Sequence, residues 1–142
     1  MIVSAHDVTG YILDGRTMTG LKLQKLLYYC QAWSLVWDGE PLFEEAIEAW
    51  SNGPVVPEVY CGLFEVGAPW PGGHPDRLSY TQRETVDRVL GRYGPKPSGL
   101  LREMTRHEKP WLEARAKDIR GRRGAEIPLA SLAEYYGSLV TK

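Results

Sequence analysis

Cysteine and histidine are scarce in this chain, with two of one and three of the other in 142 residues. Cys30 and Cys61 form no CxxC pair, and His6, His74 and His107 lie far apart, so nothing has the ligand spacing of a zinc site. Two thiols make no disulfide framework, and both read as reduced, buried cysteines of a cytosolic protein. An excess of one charge is missing too. Lys and Arg number 17 against 18 Asp and Glu, a net charge of −1, so no long-range field gathers nucleic acid or an anionic membrane. No apolar run approaches the roughly 18 residues that cross a bilayer. The opening MIVSAHDVTG has neither the basic nor the apolar region of a secretory signal. The expectation is a cytoplasmic protein, one domain over residues 1–142, without metal or cofactor. Phenylalanine is also rare, two residues against five Trp and eight Tyr. Trp and Tyr carry a polar handle and suit half-buried, partner-facing positions.

What the chain does have is a long apolar stretch from Thr19 to Gly39. Leu23, Leu26, Leu27, Cys30, Trp33 and Trp37 recur at helical spacing, and Leu21, Tyr28, Ala32, Leu35 and Val36 make the other side apolar as well. Only Lys22, Gln24, Lys25 and Gln31 interrupt it. A helix apolar nearly all round belongs inside a domain, contacted on more than one side. Thr19 is placed to cap its start and Gly39 to end it in a left-handed turn. Lys22 opposes the helix dipole, so burial rather than capping explains the helix.

Shorter elements flank it. Ser4 and Asp7 have capping-box spacing, with Val8, Tyr11 and Ile12 as the buried edge of a first helix that Gly15 ends. Pro41 to Trp50 fits neither period and reads as extended. After the Gly53-Pro54 break, Pro57 is placed to start a helix running through Tyr60, Leu63 and Phe64. Gly67 to Pro75 is a loop. Thr81 and Glu84 make a capping box for a helix striped by Val86, Val89, Leu90 and Tyr93, which Gly94-Pro95 stops. Ser98 is expected to cap a helix through Leu101 and Met104. Pro110 opens a short one with Trp111, Leu112 and Ala114, and Pro128 the last, striped by Leu132, Tyr135, Tyr136 and Leu139. The fold class is mainly α: a compact multi-helix domain wrapped around a buried central helix at about residues 19–38, with at most a minor strand pair.

Catalytic signatures are thin. A Cys61–His107 pair would depend wholly on the fold, Gly72-Gly73 lacks the context of a phosphate loop, and Glu44-Glu45, adjacent in an extended segment, read as solvated. The basic stretch Arg115, Lys117, Arg120, Arg122 and Arg123 could grip phosphates. Asp118 lies within it, Glu113 and Glu126 flank it, and no helix-turn-helix accompanies it, which favours a solvated loop. Two tryptophan-bearing turns remain, Ala49-Trp50-Ser51-Asn52-Gly53-Pro54-Val55 and Thr105-Arg106-His107-Glu108-Lys109-Pro110-Trp111. Either they plug the ends of the helical bundle or they anchor a partner segment.

Taken in order, LKLQKLLYYCQAW at Leu21 to Trp33, PLF at Pro41 to Phe43, AWSNGPVVPEVY at Ala49 to Tyr60 and PWLEAR at Pro110 to Arg115 resemble the SocA-like antitoxin domain, also called the Panacea domain. The family usually has an aromatic residue where this chain has Asn52. It usually has a Thr-His pair where this chain has Thr105-Arg106, with His107 displaced by one position. The resemblance implies a mostly helical, non-catalytic domain of bacterial and phage toxin–antitoxin operons. It implies a cognate protein toxin encoded nearby as the partner, neutralised by direct contact, and for some members delivery of that toxin to a ClpXP-type protease. The expected contact residues are Trp50, Asn52, Gly53, Pro54, Tyr60, His107 and Trp111. The alternative is a protein that regulates its own operon by binding nucleic acid through Arg115, Lys117, Arg120, Arg122 and Arg123.

Overall fold

The computed structural model describes residues 2–118 and 124–140. Ser4 and Asp7 cap the first helix reciprocally: the Ser4 hydroxyl accepts from the Asp7 N–H at 3.0 Å, and the Asp7 carboxylate accepts from the Ser4 N–H at 3.1 Å. This opens α1 (Ala5–Ile12), which buries Val8 and Ile12. Strand β1 (Thr17–Thr19) leads straight into α2 (Gly20–Trp37), whose first turn is capped by the Thr19 hydroxyl accepting from the Lys22 N–H at 3.2 Å. Every residue of α2 from Leu23 to Ser34 is buried. The chain leaves it through Gly39 at φ +73°, the left-handed turn that glycine adopts without a Cβ penalty.

After the extended segment come β2 (Glu48–Trp50) and β3 (Gly53–Val55), an antiparallel hairpin, then β4 (Glu65–Gly67), which pairs antiparallel with β1. The remaining helices are α3 (Tyr80–Tyr93), α4 (Ser98–Arg106), α5 (Lys109–Lys117) and α6 (Leu129–Val140). Helices α3, α4 and α6 all pack on α2, and the buried apolar side chains form a common cluster around it. The architecture is mainly α, with two short strand pairs.

Of the polar residues that interrupt α2, Gln24, Lys25 and Gln31 are buried while Lys22 is half-buried, and the two glutamines have structural tasks. Gln31 accepts from the Leu42 and Phe43 N–H groups at 2.7 and 3.2 Å and donates to the Phe43 carbonyl at 2.7 Å. Gln24 accepts from the Val56 N–H at 2.7 Å and donates to its carbonyl at 3.4 Å. Non-helical backbone can lie against the central helix only if its polar groups are paired, and these two amides supply the pairing. Tyr28, Tyr29 and Tyr136 are buried, and Tyr29 stacks on Tyr93 with ring centroids 3.9 Å apart.

Four local expectations change. The helix after Pro57 stops as a single 3-10 turn, Pro57–Val59. Gly62 at φ +73° and the Gly20 N–H bond to the Phe64 carbonyl at 2.9 Å commit the next residues to a loop that ends in β4. Helix α3 is capped by Ser79 and Gln82 rather than Thr81 and Glu84. Pro97, not Ser98, occupies the N-cap of α4, and the Leu101 N–H bonds its carbonyl at 3.1 Å. Glu45 is not simply solvated: its carboxylate accepts from the Ala5 N–H at 2.9 Å at the start of α1, where a negative charge is favoured.

Candidate functional site

The β2–β3 hairpin carries most of the expected contact residues. Its tight connection places Gly53 at φ +108°, a conformation closed to other residues without strain. A Cβ there would lie 2.8 Å from Lys25 Cε and 3.0 Å from Thr105 Oγ1, so the hairpin, α2 and α4 meet at this glycine. Next to it, the Pro54 carbonyl accepts a hydrogen bond at 3.1 Å from Nζ of Lys25, which reaches it from α2.

On the outer side of the hairpin Trp50 is half-buried. Its ring lies 5.0 Å from that of Tyr60, tilted by 46°, and its indole N–H donates to Glu48 at 2.8 Å. Tyr60 is 41% exposed and Asn52 is exposed at the turn. Trp111 faces inward at 7% exposure; its indole N–H donates to the Trp50 carbonyl at 2.8 Å, and the Arg106 guanidinium sits 5.6 Å from its ring centroid. The expected residues therefore divide in two. Trp50, Asn52 and Tyr60 form an outer face, while Gly53, Pro54 and Trp111 hold that face from behind. His107 is exposed at the end of α4, with its ring Nδ1 2.7 Å from the Glu103 carbonyl of its own helix.

Beside the Trp50–Tyr60 pair lies a small pocket of about 30 Å³ between Leu21, Asn52, Leu63 and the buried side of α2. Lys25 lines it and is fully buried. Burial first, and the nearby Arg102 guanidinium second, lower the Lys25 amine to about 7. Leu63 in the pocket wall and Phe64 next to it in the chain are 63% and 81% exposed. Sequence reasoning missed all three residues. A lysine inside a helix apolar on nearly every face, one turn beyond Lys22, was the signal for Lys25. The loop residues carried none, because the same letters fit a buried helical stripe.

The other candidates have different surroundings. Arg115, at the end of α5, donates to the Ala49 carbonyl at 3.0 Å, so part of its guanidinium is engaged against β2. Lys117 is exposed, and Arg120, Arg122 and Arg123 lie outside the described residues. Cys61 is half-buried with its thiol pushed up by burial, which opposes thiolate formation. Among the described residues no group of three His, Cys, Asp or Glu side chains could hold a metal, and no helix is long and apolar enough to cross a membrane.

A family model described as "Antitoxin SocA-like, Panacea domain" matches residues 23–112, a span that takes in α2 from Leu23 on, the hairpin, most of the pocket wall and Trp111. The chain belongs to the SocA-like antitoxin family. It is also 41% identical over 63 residues to Antitoxin SocA of Caulobacter vibrioides (strain NA1000 / CB15N), an alignment covering 41% of this chain and 34% of that relative. No solved structure matches.

Proposed function

We propose that this protein is an antitoxin that neutralises a cognate toxin by direct contact, using the face built from Trp50, Asn52 and Tyr60. The observation that carries this reading is the half-exposed Trp50–Tyr60 pair, clamped from behind by the Trp111 bond to the Trp50 carbonyl and flanked by exposed Leu63 and Phe64. A rigid aromatic anchor in an apolar surround is the usual centre of a protein interface. An interface of roughly 1,600 Å² would bury the anchor and leave arginines at the rim. Gly53, Pro54 and Trp111 act in this reading by holding the anchor in place, and His107 extends the surface at the end of α4.

Co-expression with the product of the adjacent reading frame is the test. Growth arrest by that product should be relieved by this chain and restored by the double substitution Trp50→Ala, Tyr60→Ala. A toxin that stays active in the presence of this chain overturns the reading. Neutralisation by contact alone also predicts an unchanged toxin half-life, whereas delivery to a ClpXP-type protease shortens it.

A further inference from the structure

A buried lysine without a carboxylate partner is an unusual thing for a small domain to keep, since an unpaired buried charge is costly and the amine loses its proton instead. Lys25 is 0% exposed, and its one hydrogen bond among the described residues goes to the neutral Pro54 carbonyl. That bond uses one of the three donors an ammonium offers. The charge that acts on it is Arg102, which repels it from α4; Lys22, Tyr28 and Tyr29 lie one turn away on α2, Tyr60 lines the same pocket, and no described carboxylate acts on it. The adjoining space of about 30 Å³ accommodates one or two waters or a carboxyl group. Its mouth lies beside the exposed Leu63 and Phe64.

We propose that this pocket receives an acidic side chain of the bound toxin, paired with the Lys25 amine, while Leu63 and Phe64 cover the apolar residues next to it. Charge complementarity selects this occupant. A carboxylate in the pocket lets the buried amine hold its proton and fills its unused donors, whereas a cationic side chain there would drive the proton off. The inference rests on the direct-contact reading above and names the chemistry of the toxin segment that reading requires. It also makes binding proton-linked. The amine is largely neutral in the free protein above pH 7 and takes up a proton when the carboxylate arrives.

The test uses the product of the adjacent reading frame, rendered inactive so that it can be purified, and measures its affinity for this chain from pH 6 to 9. Affinity should be level below pH 7 and then weaken by up to about tenfold per pH unit as the free amine loses its proton. Lys25→Met should weaken binding at pH 6.5 by about 30-fold, flatten that pH profile and leave the fold intact. Replacing in turn each Asp and Glu of the toxin should reveal one whose loss has no further effect in the Lys25→Met background. Lys25→Met with wild-type affinity and profile, or a wild-type affinity that does not change with pH, overturns the inference. The second result needs no variant. Failure of the product to bind the unaltered chain at any pH overturns instead the direct-contact reading on which the inference rests.

Discussion

Tyr136 of α6 donates its hydroxyl to Glu108 across 2.6 Å, and the same carboxylate accepts from Tyr29 of α2 at 3.1 Å. Tyr136 also lies 3.0 Å from the Tyr28 hydroxyl, where one oxygen donates and the other accepts. One acidic residue, placed just before α5, thus fastens the last helix to the central one. The aromatic rings supply the packing area, and Glu108 supplies a shared charged acceptor for the Tyr29 and Tyr136 hydroxyls.

Glu108→Ala should therefore be among the most damaging single changes. Leaving two buried tyrosine hydroxyls without their shared charged acceptor costs about 3 kcal/mol, read as a lowered midpoint in urea. Burial, the largest cause, holds the Glu108 carboxyl above its ordinary 4.5, although the Tyr136 and Tyr29 bonds pull the other way. Between 4.5 and the raised folded value the native state keeps the proton more tightly, so this group's contribution to stability falls as pH rises through that window. Glu108→Gln should remove that slope.

Lys25 works in a separate window with the opposite sign. Its folded value of about 7 lies below the ordinary 10.5, so between them the unfolded chain binds the extra proton and stability climbs with pH. The expected gain from pH 7 to pH 9 is about 2 kcal/mol, and Lys25→Met should abolish it. Above pH 10 the trend reverses, because Tyr28, Tyr29 and Tyr136 stay protonated in their buried positions while unfolded tyrosines ionise. Chemical denaturation followed by tryptophan fluorescence across pH 7 to 11 checks both limbs.

Gln31→Leu keeps the size of the side chain and deletes its amide. Two buried N–H groups and one carbonyl, at Leu42 and Phe43, then lose their partners. The expected loss is about 3 kcal/mol. Amide exchange should speed up at Leu42 and Phe43 before it does so in α2.

Phe64→Ser tests the outer face from the other direction. At 81% exposure the ring contributes little to folding, so the stability change should stay within about 0.5 kcal/mol. If the ring covers toxin surface, affinity for the toxin should fall by about tenfold or more, measured by calorimetry.

The residues from Thr19 to Gly39 by themselves determined the central helix, its burial and its two ends, because apolar side chains on every face leave no solvent-compatible alternative. The capping box at Ser4 and the stripe ending at Tyr93 were legible for the same reason: their physics is local. Tertiary structure alone decided where the polar residues of that helix went. Gln24 and Gln31 became clamps for distant backbone and Lys25 became part of the wall of a pocket, outcomes set by segments 11 to 32 residues away in the chain. It also decided that Trp111 turns inward while Trp50 stays at the surface, since the hydrogen bond joining them crosses 61 residues of sequence. Periodicity reports which side of an element is apolar. It carries no information on which distant backbone group will need a partner, and that need placed the side chains that matter here.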